Sequence, residues 1–344
     1  MSATSPLEVG LGGMADALLP AAVATATGVF CWLATRALIP FLRRRDMLDY
    51  PNERSSHFAP TPRGGGIAVT GSVLLAWLGL HEAGLVASGV VGVALATGLL
   101  ALVSWIDDLR GLSPTVRLVA QGIAVTIGIL MLPGAPNGLE AWLGPTLYAA
   151  AAGLVWVWWI NLFNFMDGID GLAVSEAAAI GGGLLLFAIL GDGADPAAAL
   201  LSAGIIGAAI GFLAWNWSPA RIFLGDVGSI SLGYLSGFLL LELVARGRWK
   251  IALILPLYFL ADATITLLRR LLNGERVWEP HRRHFYQQAV RSGLSHSAVV
   301  QRVVAANLLL IGCGWAAENG RPVLAFAAAI MLVAALLVAL ATGR

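Results

Sequence analysis

The chain has 344 residues, of which 58% are hydrophobic and 12% are charged, and its formal net charge is +1. This is about half the charged fraction of an ordinary soluble protein, so most of the chain is predicted to lie inside a lipid bilayer. The basic residues do not form one basic surface, which argues against a nucleic-acid partner. Cys31 and Cys313 lie in apolar runs and are interpreted as buried small hydrophobic residues.

Apolar runs recur along the whole chain. A hydrocarbon core about 30 Å thick needs roughly 20 apolar residues per helix. Eleven segments are candidates, with ten as an alternative because the fifth is short: 17–42, 64–81, 85–106, 116–132, 146–160, 172–190, 197–217, 227–244, 250–272, 298–315 and 322–341. The prediction is an all-α, polytopic membrane protein with a single integral-membrane domain over residues 1–344.

The basic residues indicate the orientation. If the N-terminus is periplasmic, 16 of the 21 Lys and Arg residues fall on the cytoplasmic side, as the positive-inside rule requires. The main cytoplasmic loops are then 43–63 and 273–297. A multi-pass protein of the bacterial inner membrane is predicted, and a homodimer is a possible assembly.

Polar residues cluster at the cytoplasmic ends of four predicted helices. Carboxylates at membrane depth are costly and usually handle ions or substrates. A purely structural origin would scatter them over both faces. The residues are Asp107 and Asp108 after the third helix, Asn161, Asn164, Asp167 and Asp170 after the fifth, Asp226 at the eighth, and 269–284 after the ninth.

Asp107 and Asp108 end a helix, where their charges oppose the helix dipole. They could simply mark a helix end that meets water. Alternatively, a divalent cation or a nearby arginine, Arg110 or Arg117, offsets them. Repulsion between adjacent carboxylates can also raise one pKa and produce a base.

The segment 161–172 carries a polar side chain at every third position. On an unbroken helix these groups would wind around the surface. Gly168 and Gly171 therefore predict a break that turns the polar groups together onto a ligand, with a plain polar turn as the alternative.

Asp226, in the segment Phe223–Ser229, is either an ordinary helix N-cap or a carboxylate that holds magnesium beside an anion. No phosphate-binding P-loop sequence is present.

The loop after the ninth helix has four consecutive side chains that can carry positive charge: His281, Arg282, Arg283 and His284. Such a cluster suits a diphosphate. For Arg269, Arg270 and Arg291, a role in membrane topology alone is the favoured interpretation. The loop with Arg54, His57 and Arg63 would by itself be an ordinary basic loop.

Together these motifs resemble the polyprenyl-phosphate N-acetylhexosamine-1-phosphate transferase family. The order is PNERSSH with TPRGGG, then WIDD, NLFNFMDGIDGL, FLGDVGS and HRRHFYQ, from about Asp49 to Gln288. Five motifs in order on one side are highly specific. The resemblance implies a UDP-sugar and polyprenyl (undecaprenyl) phosphate as substrates, UMP as a product, and Mg²⁺ as the cofactor, with Mn²⁺ as a substitute.

The resemblance also implies residue roles. Asp107 and Asp108 match an acidic pair that activates the lipid phosphate or organises the metal, with Asp167 as a further catalytic residue. Arg117 matches a basic residue that holds the lipid phosphate, and Asn164 and Asp226 match the magnesium ligands. Nucleotide contacts are implied for Asn161, Asp170 and Phe223, diphosphate contacts for His281, Arg282 and His284, and a substrate loop for Arg54, His57 and Arg63.

HRRH replaces the consecutive histidines of the peptidoglycan translocase, which puts a MurNAc-pentapeptide substrate in doubt. The loops look more like the O-antigen-initiating branch, including enzymes for 6-deoxy sugars such as FucNAc or QuiNAc. A UDP-GlcNAc-specific initiator of another cell-envelope polymer is an alternative.

The rival class is a secondary transporter, which also uses intramembrane carboxylates. Asp262, well inside the ninth helix, fits a transporter better than the other acids do. In an enzyme it would pair with an arginine or line the lipid groove.

Overall fold

The computed structural model describes residues 6–51, 59–133, 143–191, 194–276 and 281–343. Arg54 and His57 lie outside these residues. The helices are α1 (Pro6–Arg44), α2 (Gly66–Glu82), α3 (Gly89–Arg110), α4 (Pro114–Met131), α5 (Pro145–Phe165), α6 (Leu172–Leu190), α7 (Pro196–Asn216), α8 (Asp226–Ala245), α9 (Trp249–Ile254), α10 (Leu257–Leu272), α11 (Phe285–Arg291), α12 (His296–Glu318) and α13 (Pro322–Thr342).

All eleven predicted segments fold as helices. Among the described residues, nine helices are long and apolar enough to cross a membrane, by length and composition alone. The second predicted segment corresponds to α2, a shorter apolar helix of 17 residues. The ninth is not continuous, because Leu255 and Pro256 separate α9 from α10. The all-α membrane architecture is confirmed, while the exact span count and the orientation stay predictions.

Two small features, a pair of strands and a short helix, were not predicted. Strands β1 (Leu48–Asp49) and β2 (Thr61–Pro62) pair antiparallel within the first predicted cytoplasmic loop. Helix α11 lies within the predicted loop 273–297 and has only seven residues. Hydropathy detects neither the strand pair nor α11, since these segments are too short to produce a periodic pattern. Cys31 is buried, as expected, whereas Cys313 is only partly buried, and both are free thiols.

Helix α8 forms the centre of the bundle. It contacts α2, α3, α5, α6, α7 and α9, and nearly every residue along it is buried. Gly233 and Gly237 let α5 approach closely, because a Cβ at either position would meet Ile160 or Trp156. Asp226 is the first residue of this central helix, so the carboxylate is held on the most buried element of the fold.

The start of α2 packs directly on the start of α8. A Cβ at Gly66 would lie 2.0 Å from the backbone nitrogen of Gly228, and a Cβ at Gly65 would lie 2.3 Å from the Phe212 ring. The Gly65 and Gly66 amides also donate to the carbonyls of Phe223 and Leu224. The glycines of TPRGGG therefore allow two backbones to touch, which no other residue type would permit.

We expect Gly66→Ala to lower the free energy of unfolding by about 3 kcal/mol or more, because its neighbour is rigid backbone. Gly71→Ala, in the same helix, is the matched control, since a Cβ there has no atom within 4 Å. It should be neutral or stabilising by up to about 1 kcal/mol. Thermal unfolding in detergent measures both, and equal unfolding temperatures would contradict the close-packing argument.

Candidate active site

Polar side chains from four separate segments meet at the end of the bundle where α8 begins. We call this group the polar mouth and define it as Arg63, Asp108, Asn164, Asp167 and Asp226. Arg63 comes from the segment before α2, Asp108 from the last turn of α3, Asn164 from the end of α5, and Asp226 from the start of α8. The predicted convergence of Asp108, Asn164, Asp167 and Asp226 on one end of the bundle is therefore observed, and Arg63 joins them there.

Arg63 is the ionic centre of the mouth. Its Nη2 atom lies 2.9 Å from Asp108 Oδ1 and 2.9 Å from Asp226 Oδ1. The backbone at Arg63 is fixed by a parallel bridge to Phe223, whose amide donates to the Pro62 carbonyl. The nucleotide contact predicted for Phe223 thus falls on a residue directly beside the mouth. Asp226 is not the N-cap of α8, because Gly225 occupies that position with φ of 73°.

The two adjacent carboxylates have different partners. Asp107 Oδ1 accepts a hydrogen bond from the Leu112 amide at 2.6 Å, and Asp107 Oδ2 pairs with Arg117 at 3.2 Å. Asp108 turns the other way, to Arg63. Arg117 offsets the negative charge of the acidic pair, as expected. Arg63, which the resemblance assigned to a substrate loop, supplies a second positive charge.

The helix break predicted in 161–172 is confirmed, since α5 ends at Phe165 and α6 starts at Leu172. The Asn164 amide nitrogen donates to Ser229 Oγ at 2.8 Å, which brings Asn164 within one helical turn of Asp226. Asp167 lies in the break. Burial and the neighbouring charge of Asp226 raise the pKa of Asp167 well above its usual range, although Arg63 opposes the shift.

Asn161 lies further inside α5. Its side-chain nitrogen donates to Gln121 of α4 at 2.7 Å and to the Val157 carbonyl at 2.8 Å. This amide pair ties α4 to α5. The nucleotide contact implied for Asn161 stays a prediction.

Asp170 pairs with a residue that sequence analysis missed. Asp170 Oδ2 lies 3.2 Å from His296 Nδ1 at the start of α12, and it accepts the Ala220 amide at 3.2 Å. Burial favours the neutral acid, but His296 and the Ala220 amide outweigh burial and lower the pKa of Asp170. The predicted uridine-contact residue is therefore a buried carboxylate fixed by α12.

Asp262 anchors the HRRH segment. It lies 3.2 Å from His284 Nδ1, and it accepts the backbone amides of Phe285 at 3.0 Å and Tyr286 at 3.2 Å. Tyr258 also donates to it. Asp262 pairs with His284 instead of the predicted arginine, and it caps the start of α11. The predicted place in the lipid groove stays a prediction.

Tyr286 connects this anchored segment to the polar mouth. Its hydroxyl donates to the Phe165 carbonyl at 2.9 Å, and its ring stacks on His284 with centroids 5.6 Å apart. A Cβ at Gly168 would lie 2.1 Å from the Tyr286 hydroxyl, so the glycine makes room for this contact. His284 therefore packs between Asp262 and Tyr286, and the diphosphate contact implied for His284 stays a prediction.

Arg282 lines a cavity of about 270 Å³ together with four other arginines: Arg269, Arg270, Arg283 and Arg291. Arg270 and Arg283 both pair with Glu275. Arg269 lies over the Phe285 ring at 4.9 Å. Arg269 and Arg270 thus make specific contacts beyond their predicted effect on topology.

Burial, followed by the positive charges of His284, Arg270 and Arg283, lowers the pKa of His281 from 6.5 to about 4. His281 is therefore neutral near pH 7 in the absence of substrate. Its ring lies 4.8 Å from that of His284.

This shift has a measurable consequence for stability. Below pH 6.5 the unfolded chain takes up the His281 proton, whereas the folded protein does so only near pH 4, so folding weakens as the pH falls across that interval. We expect His281→Asn to reduce this loss. Unfolding temperatures of both proteins from pH 6.5 to 4 test it, and parallel curves would contradict the prediction.

The residues of the mouth fit a hard divalent cation. Among the described residues, no three His, Cys, Asp or Glu side chains form a metal-binding group by themselves. Magnesium does not need one, because it is usually held by one or two carboxylates, water and substrate phosphates. Within the described structure, Asp108 Oδ2 is buried without a hydrogen-bond partner. This oxygen, the Asp226 carboxylate and the Asn164 amide oxygen make a suitable donor set.

The fold and the mouth define a polytopic membrane protein with a polar, carboxylate-rich site at one end of its bundle. Residues 90–244 match the model of glycosyl transferase family 4. A phospho-N-acetylmuramoyl-pentapeptide-transferase of Mycobacterium avium is 31% identical over 79% of this chain and 89% of its own length. Its counterpart in Mycobacterium marinum is 32% identical with the same coverage.

A third relative, from Bacillus subtilis, is named "Probable undecaprenyl-phosphate N-acetylglucosaminyl 1-phosphate transferase". It is 29% identical over 72% of this chain and 71% of its own length. The chain belongs to glycosyl transferase family 4 and is a multi-pass transferase of the bacterial inner membrane. Membership of this transferase family argues against the alternative that the protein is a secondary transporter. These relatives give no support to the predicted O-antigen branch.

Proposed function

We propose that this protein transfers an N-acetylhexosamine 1-phosphate from a UDP-sugar to polyprenyl phosphate and releases UMP, as the first step of a cell-surface glycan. The observation that carries the proposal is the meeting of Asp108 and Asp226 around Arg63 at the end of α8. Carboxylates and an arginine from separate helices suit phosphoryl transfer, in which the protein mainly positions and neutralises charged groups.

In this reaction an oxygen of the lipid phosphate attacks the sugar-bearing phosphorus of the UDP-sugar. The new P–O bond forms as the bond to the UMP oxygen breaks, and UMP leaves with that electron pair. Arg117 would hold the lipid phosphate, and Arg282 and His281 would hold the diphosphate. No base is needed for the attack, because a phosphate monoester is already largely ionised near pH 7.

Asp226 and Asn164 would hold Mg²⁺ or Mn²⁺, with Asp108 beside them. When bound, the cation would supply Lewis-acid stabilisation of the diphosphate. Of the acidic pair, Asp107 is already occupied by Arg117 and the Leu112 amide, whereas Asp108 keeps one buried oxygen without a partner in the described structure. Asp108 is therefore the better candidate of the pair for contact with the cation.

The sugar is proposed to be a simple N-acetylhexosamine, such as GlcNAc or a 6-deoxy sugar for O-antigen synthesis. HRRH in place of consecutive histidines supports this choice. A MurNAc-pentapeptide donor is the second candidate, because two of the relatives described above carry that substrate in their names.

The test is UMP release by purified protein with polyprenyl phosphate, Mg²⁺ and separate UDP-sugars. The panel is UDP-GlcNAc, UDP-QuiNAc, UDP-FucNAc and UDP-MurNAc-pentapeptide. Release that depends on both Mg²⁺ and the lipid supports the reaction, and the donor with the highest kcat/KM identifies the sugar. Folded protein that releases no UMP with any donor would refute the proposal.

A further inference from the structure

Arg63 occupies the position between two carboxylates that a bridging cation would take. A single guanidinium nitrogen, Nη2, lies 2.9 Å from one oxygen of Asp108 and 2.9 Å from one oxygen of Asp226. These carboxylates come from different helices, α3 and α8, and only 8% and 19% of their side chains are exposed. Without a positive charge between them, two largely buried carboxylates would repel each other strongly.

The backbone that carries the Arg63 side chain is fixed. The Arg63 amide donates to the Met47 carbonyl, and the following glycines pack on Phe223 and Gly228. The backbone is therefore held on both sides. The side chain is 43% exposed, so a change of rotamer toward solvent is the movement that would release both carboxylates.

We propose that Arg63 is a built-in counter-ion of the catalytic metal site, which a divalent cation displaces from Asp108 and Asp226. The inference rests on the proposed metal role of Asp226. Arg63 and the cation compete for the same two carboxylates, so the arginine stabilises the mouth when no metal is bound and also weakens cation binding.

This competition separates the proposal from two simpler roles. If Arg63 were merely structural, its removal would lower stability without changing cation affinity. If Arg63 helped to build the metal site, its removal would weaken cation binding. Only a displaced counter-ion predicts that the removal of Arg63 lowers the stability of the metal-free protein and raises its affinity for the cation.

The experiment uses the full-length protein in detergent without substrate. Mn²⁺ binding is followed by the loss of the free-ion electron paramagnetic resonance signal, with Mg²⁺ as competitor. We expect Arg63→Gln to bind Mn²⁺ tighter by about ten-fold or more, because one positive charge is lost beside the site. In the presence of chelator, the unfolding temperature of Arg63→Gln should be lower than that of the wild type. Addition of Mg²⁺ should raise the unfolding temperature of the variant by more than it raises that of the wild type.

Arg246→Gln is the matched control. Arg246 also bridges two carboxylates, at 2.8 Å from Asp195 and 3.1 Å from Glu242, immediately after the opposite end of α8. Its removal should lower the unfolding temperature and leave Mn²⁺ affinity unchanged. In the Arg63→Gln background, Asp226→Asn should remove the gain in affinity.

Unchanged or weaker Mn²⁺ binding by Arg63→Gln would overturn the counter-ion role and leave the proposed transferase reaction intact. An equal gain in Arg246→Gln would also overturn it. If neither the wild type nor Arg63→Gln binds Mn²⁺, the metal assignment of Asp226 fails together with this inference, while UMP release still tests the reaction itself.

Discussion

Asp226→Asn is expected to lower kcat by about 10³-fold or more while the protein stays folded. Asn has the same shape and still accepts a hydrogen bond from Arg63, but it lacks the negative charge that would hold the cation. The effect on stability should be within about 1 kcal/mol, because the lost attraction to Arg63 is offset by weaker repulsion from Asp108 and Asp167.

UMP release at saturating substrates measures the effect on kcat, and thermal unfolding reports the fold. Glu82→Gln is the control, since it neutralises an exposed carboxylate at the end of α2. It should keep both the rate and the unfolding temperature of the wild type. Turnover by Asp226→Asn within ten-fold of the wild type would remove Asp226 from the catalytic machinery.

The sequence predicted the helices well, because a bilayer-spanning helix needs a long apolar run that local hydropathy detects. It was less informative at breaks and in loops. The interruption at Leu255 and Pro256 lies inside a continuous apolar segment, and α11 is only seven residues long. Neither feature changes the average hydropathy enough to be detected.

The polar mouth was predicted because its carboxylates follow apolar runs on one predicted side. The partners were harder to identify. Arg63 reaches Asp226 across 163 residues, and His296 reaches Asp170 across 126 residues. These contacts depend on tertiary packing, such as the pairing of Gly65 with Phe223. The only local sign of His296 was its position after Ser295, at the start of an apolar helix.

Asp262→Ala is expected to lower the free energy of unfolding by about 3–5 kcal/mol. The change leaves the buried amides of Phe285 and Tyr286 without an acceptor and His284 without its carboxylate. It should also reduce kcat/KM for the UDP-sugar by about 10²-fold, because His281 and Arg282 lose the anchor that positions them.

Asp262→Asn separates this anchoring role from a role for the charge itself. Asn keeps one oxygen, so it can still accept the Phe285 amide but not the Tyr286 amide as well. Its losses of stability and of kcat/KM should therefore fall between those of the wild type and Asp262→Ala. Thermal unfolding and UMP release measure both. If Asn and Ala abolish activity equally with little loss of stability, the negative charge of Asp262 takes part in the reaction directly, and the anchoring role is wrong.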